Sequence, residues 1–210
     1  MQTPGWFGKL PGMGDFAHRR LPPSFREGWD HWLQTGLARM RDRHADWTAS
    51  YLDAPLWCFV LGPQVVDAEV WIGVLMPSVD GVGRYFPFAI AAPLAGAPGQ
   101  LDAPALAAAQ QWWARAVAAA LQGLEGDLDA ERFDALLART FDAAPGDADA
   151  ANAALDTLAL PGFGASLWLA DPAAPDGVRQ TCMGLPRGEQ FDALFGIGSE
   201  TLTTTQEDSA

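Results

Sequence analysis

Basic residues are scarce in this chain. Thirteen Lys and Arg stand against twenty-six Asp and Glu, a net charge of −13 at pH 7. The deficit is uneven: residues 101–210 hold five basic against seventeen acidic side chains, whereas residues 1–50 hold seven against five. An acidic second half repels phosphate backbones and anionic headgroups, so nucleic-acid and membrane-surface binding are excluded as expectations, and a basic partner surface fits better. Cysteine is nearly absent. Cys58 and Cys182 are too few for a disulfide framework, and both sit in apolar runs, which predicts reduced core residues. No apolar run approaches the roughly twenty residues of a membrane helix, and no basic-then-apolar leader opens the chain, so the expected location is cytoplasmic without membrane insertion.

Catalytic signatures are missing too. His18, His31 and His44 stand thirteen residues apart, a spacing that joins no Cys, Asp or Glu into a metal site. The glycine-rich start, Gly5 to Asp15, lacks the Gly, four residues, Gly-Lys-Ser/Thr of a phosphate loop, and no strand–turn–helix unit frames it as a dinucleotide fingerprint. Ser78 lacks the Gly-x-Ser-x-Gly elbow of a nucleophile. The expectation is therefore no catalytic, metal or cofactor residue. The alternative from another class is a small hydrolase or small-ligand-binding protein in which Asp15, Ser78 and Asp80 converge and one carboxyl has a raised pKa.

Aromatics are abundant, with nine Trp and eleven Phe. Each buried ring removes about 150–250 Å² from water, so the core is expected to be aromatic-rich. Phe25, Trp29, Trp32, Leu33, Leu37 and Met40 recur at helical spacing and predict an amphipathic helix over about 24–47, opened by a Ser24-to-Glu27 capping box. Leu56–Gly62, Glu69–Met76 and Tyr85–Ala92 read as strands covered on both faces. An Ala-rich helix capped by Asp102 runs to about 122, a second spans 127–142, and a weaker one lies near 149–158. Two late strands, 166–170 and 180–185, precede a last helical turn at Phe191–Phe195. The Trp pairs 29/32 and 112/113 fit core packing better than ligand platforms.

The most informative stretch is Trp71–Phe88, two hydrophobic arms around the turn Asp80-Gly81. Its loop carries Ser78, Asp80 and Arg84, polar groups that must bond one another, the backbone or a partner. Trp6-Phe7-Gly8-Lys9-Leu10-Pro11 with Gly14-Asp15-Phe16, then Trp29-Asp30 with Trp32-Leu33, Tyr51 with Ala54-Pro55, Trp57 and Phe59, and Met76-Pro77-Ser78-Val79-Asp80 with Val82-Gly83-Arg84-Tyr85-Phe86-Pro87 occur in this order. The pattern, over about residues 5–94, resembles the type VI secretion-associated TagF (ImpM) family.

That resemblance implies a three-layer α/β/α sandwich with a mixed, largely antiparallel sheet. It also implies a cytoplasmic, non-enzymatic accessory protein that restrains assembly or firing of the secretion apparatus by binding other type VI secretion proteins, in some members the forkhead-associated scaffold protein. The expected organisation is one domain over 1–198, with the signature over about 5–94, helices over about 101–158 and late strands over about 165–198. A disordered polar tail is expected over 199–210. The candidate partner-binding or structural motif is Lys9, Pro11, Gly14, Asp15, Phe16, Pro77, Ser78, Asp80, Gly83 and Arg84. On the competing reading these residues only hold turns. No motif encodes the oligomeric state.

Overall fold

The computed structural model describes residues 2–95, 99–143, 158–172 and 177–198. The expected helix near 149–158 falls almost wholly outside them, and the expected tail outside them altogether.

The central arms form as the hydrophobic pattern predicts. Strands β3 (Trp57–Leu61), β4 (Trp71–Met76) and β5 (Phe88–Pro93) pair in an antiparallel meander. Strand β1 (Gly5–Gly8) lies between β5 and the short β2 (Ala17–Arg19), while β8 (Ala165–Leu169) and β9 (Arg179–Met183) extend the other side. The seven-stranded order is β2-β1-β5-β4-β3-β8-β9. Every ladder in it is antiparallel among the described residues, so the mixed character expected of the sheet is not seen there. Two residues each of β6 (Gly99–Gln100) and β7 (Ala159–Leu160) pair separately.

Helices cover both faces, which gives the three layers. Side chains alternate across each strand. Cys58, Val60, Ile72, Val74, Phe88 and Ile90 point to α3 (Ala103–Glu125) and α4 (Ala130–Asp142). Trp57, Phe59, Leu61, Trp71 and Leu75 point to α1 (Pro23–Arg43), α2 (Trp47–Asp53) and α5 (Glu189–Leu194). Burial on both faces explains why these strands read as unbroken apolar runs rather than alternating ones.

All six apolar positions predicted for α1 are buried, and Trp112 and Trp113 are core residues. Gly73 makes the sheet thin enough for one of these contacts, because a Cβ there would lie 2.1 Å from the Phe59 ring. The Trp113 indole donates to the Gly73 carbonyl on the opposite side. Cys58 and Cys182 are buried free thiols.

The start of α1 corrects the sequence reading. Pro23 takes the first helical position, which its fixed φ favours, and Pro22 becomes the N-cap with no side-chain bond. Ser24 therefore sits inside the first turn, and its hydroxyl donates to Asp67 instead of closing a capping box. The helix ends at Arg43, and Trp47 opens the separate α2.

Candidate functional site

The two signature loops meet at one end of the sheet. Strand β1 ends at Gly8, whose φ of +133° lies in the region that favours glycine and where a Cβ would stand 2.3 Å from the Pro87 carbonyl oxygen. That close approach turns the next residue, Lys9, inward, so its ammonium is buried. Across from it the chain leaves β4 at Met76 and returns through residues 77–87. A bridge between Val79 and Tyr85, with the Gly83 amide donating to the Asp80 carbonyl and Phe86 to Ser78, narrows this loop into a hairpin tip. Gly83, at φ +82°, supplies its left-handed residue.

Asp80 is the centre of the arrangement. Its Oδ1 accepts from the backbone amides of Val82 (3.1 Å) and Arg84 (2.9 Å), the local bonding that makes Asp-Gly a turn signal. Its Oδ2 accepts from Lys9 Nζ at 2.9 Å and Arg84 Nε at 2.7 Å. Arg84 Nη2 in turn donates to the Gly14 carbonyl at 2.6 Å. One carboxylate thus ties the end of β1, the loop after it and its own hairpin.

Burial by itself would raise the Asp80 pKa. The Arg84 amide, the Lys9 ammonium, the Arg84 guanidinium and the Val82 amide outweigh burial and hold the carboxyl well below the usual carboxylate range. Both oxygens are engaged and the anion is favoured. Such a group serves neither as proton donor nor as a base of useful strength near neutral pH.

Other predicted residues take different roles. Ser78 is buried and its Oγ has no hydrogen-bond partner among the described residues. Its backbone carries the contact, for Tyr51 from α2 donates its hydroxyl to the Ser78 carbonyl and accepts from the Ser78 amide, both at 3.0 Å. Burial pushes the Tyr51 phenol up, with its Ser78 bond pulling the other way. Asp15 stays exposed, and its carboxylate accepts from the Phe16 amide, which closes its own turn. Asp15, Ser78 and Asp80 therefore do not form the acid–base cluster that the hydrolase alternative requires. Pro11 packs by its carbonyl oxygen, which would lie 2.8 Å from a Cβ at Gly81. Pro77 is half-buried at the exit of β4.

The outer surface over this ion cluster is partly apolar. Phe16 is 46% exposed and Val82 74% exposed. The Phe16 ring lies edge-on to Phe86 at 4.6 Å, and Lys9 Nζ stands 4.5 Å from its centroid. Sequence reasoning singled out Lys9, Gly14, Asp80 and Arg84, which the fold brings together. It assigned no site role to Tyr51 or Val82. Both belong to family-like blocks, Tyr51 with Ala54-Pro55 and Val82 with Gly83-Arg84, which was the available signal. Among the described residues no group of three or more His, Cys, Asp and Glu is placed to hold a metal ion, and no helix is long and apolar enough to cross a membrane.

Comparisons with known proteins cover these loops and most of the chain around them. The crystal structure of PA0076 from Pseudomonas aeruginosa PAO1 superposes with a TM-score of 0.72 at 28% identity, covering 98% of this chain and 100% of that one. No curated protein matches the chain. The model of the TagF N-terminal domain, type VI secretion system-associated, matches residues 5–140. That span contains both signature loops and extends the likeness beyond residue 94 through α3 and most of α4. With well over half of its length matched, the chain belongs to the TagF family of type VI secretion-associated proteins.

Proposed function

We propose that this accessory protein is a non-enzymatic, cytoplasmic regulator that restrains assembly or firing of the type VI secretion apparatus by binding one of its components. The observation that carries this reading is the Lys9–Asp80–Arg84 cluster beneath the exposed Phe16 and Val82. Loops pinned from below lose little conformational freedom when a partner docks, so less of the contact energy goes into ordering them. Phe16 and Val82 supply apolar contact, while Asp15 and the half-exposed Arg84 guanidinium supply charge at the rim. The forkhead-associated scaffold protein is the first partner to try, followed by the remaining secretion proteins.

Effector secretion is measured with the gene deleted and then overexpressed, and the purified chain is used as bait against the scaffold. Deletion is expected to raise secretion and overexpression to lower it. Phe16→Ser with Val82→Asp is expected to abolish both the repression and the capture, with the chain still folded by circular dichroism. Full repression and capture by that folded double variant would overturn the loop face as the contact surface. Unaltered secretion in both the deletion and overexpression strains would overturn the regulatory role itself.

A further inference from the structure

A second site lies away from the signature loops, between α1 and the segment running from Gly184 into α5. Two glycines on one face of α1 shape it. A Cβ at Gly36 would stand 2.3 Å from the Phe191 ring, so that glycine lets α5 close against the helix. Two turns earlier a Cβ at Gly28 would meet nothing within 4 Å, so the same face opens into a groove of about 430 Å³. Pockets for small ligands span about 300–1,000 Å³.

The lining is unusual for so acidic a chain. Arg39, Arg43 and Arg187 all contribute to it, with His31. Arg43 pairs with Asp192. The exposed side chains of Arg39 and Arg187 make no hydrogen bond or ion pair among the described residues, although twice as many acidic as basic side chains are available in the sequence. Arg39 and Arg43 are one turn apart on α1, a like-charge spacing that costs a helix a few tenths of a kcal/mol. Trp32 and Phe191 give the groove apolar wall, and the Trp32 indole donates to the Pro186 carbonyl at 2.7 Å, which fixes the ring.

A buried carboxylate completes the set. Asp192 lines the groove and is 3% exposed. Its Oδ2 meets Arg43 and His44, but its Oδ1 is buried with no hydrogen-bond partner among the described residues. Buried acceptors without donors are rare because the desolvation cost goes uncompensated. Oδ1 is closed to solvent, so this carboxylate serves the groove by holding Arg43 in its wall.

We propose that this groove binds a small organic anion with an aromatic or otherwise apolar body. Arg39 and Arg187 take the anionic group, and Trp32, Val65 and Val66 line the side that takes the body. The site shares no residue with the loop face, so it stands or falls independently of the proposed regulatory contact.

The test titrates the full chain with 8-anilino-1-naphthalenesulfonate, a probe with a sulfonate and an aromatic body. One saturable site per chain is expected. Arg39→Ala with Arg187→Ala should weaken it at least about tenfold, the scale of lost charge-assisted bonds. Gly28→Phe, at an exposed helical position with room for a side chain, should abolish binding by filling the groove. N-phenyl-1-naphthylamine, which lacks the sulfonate, should bind the unsubstituted protein at least about tenfold more weakly. Circular dichroism confirms that each variant is folded. The proposal is overturned if either folded variant keeps the original affinity, if the uncharged dye binds equally tightly, or if no saturable site is found.

Discussion

Asp80 and Asp192 are both buried carboxylates that meet an arginine, yet their surroundings differ in one decisive respect. Asp80 receives four donors, two from backbone and two from side chains, and its buried cation Lys9 has no exit to water. Asp192 receives donors on Oδ2 alone, from Arg43 and His44 that are each more than a third exposed. The first arrangement is saturated and serves to hold loops in place. The second leaves one buried oxygen that no described residue reaches, on a carboxylate that holds Arg43 at the edge of a groove. Burial by itself therefore does not separate a saturated anchor from an incompletely paired carboxylate; the number of donors does.

The sharpest way to break this contrast is to remove each carboxylate. Asp80→Ala leaves Lys9 buried without a counter-charge and is expected to cost about 3–5 kcal/mol in urea unfolding. Asp192→Asn keeps the shape and removes one pair with a partly exposed arginine, so its cost should stay below about 1 kcal/mol. Equal losses in the two variants would erase the distinction.

Acid tests the Asp80 cluster next. The folded Asp80 pKa lies below its ordinary value, so the unfolded chain takes up that proton first as pH falls. The stabilisation is whole above the unfolded carboxylate range near pH 4 and is lost as pH drops towards the folded value. Asp134, held low chiefly by Arg20, titrates in the same direction. The difference between the unsubstituted protein and Asp80→Asn isolates the Asp80 part: stability should fall more steeply between about pH 4 and pH 2.5 in the former. Parallel curves would show that the Lys9–Asp80 pair contributes nothing.

The smallest effects come from the glycines beside the groove. Gly36→Ala drives a methyl into Phe191 and should cost about 1–3 kcal/mol. Gly28→Ala meets open space and should stabilise the chain by about 0.5–1 kcal/mol through helix propensity. Thermal melts of the two variants are expected to move in opposite directions.

Much of the fold was legible because burial on both sheet faces leaves unbroken apolar runs. β3, β4 and β5 announce themselves in that way, and α1 and α3 by their three- and four-residue spacing. The turn at Asp80-Gly81 was equally plain. The short, polar β2 was not: Ala17, His18 and Arg19 have no apolar face, and only pairing with β1 makes them a strand. α2 was missed because seven residues without a capping bond leave almost no periodic signal. At the site, residue types in the loops pointed to Lys9, Asp80 and Arg84, but only the fold shows that one carboxylate serves both cations. Asp15 looked equivalent in sequence and proved to be exposed. The Arg39–Arg187 groove had no sequence signature, since its walls come from residues roughly 150 positions apart, brought together by packing of α5 on Gly36.

The placement of β1 has a consequence for biosynthesis. Its register is set by β5, whose partner residues end at Ala91, and Trp6 is finished off by the Phe133 ring and a bond to the Asp134 carboxylate, 128 positions downstream. At usual elongation rates that interval is on the order of ten seconds. Until β5 and α4 are made, β1 has only its hairpin partner β2 to pair with, so the strand at the edge of the signature loops is completed late.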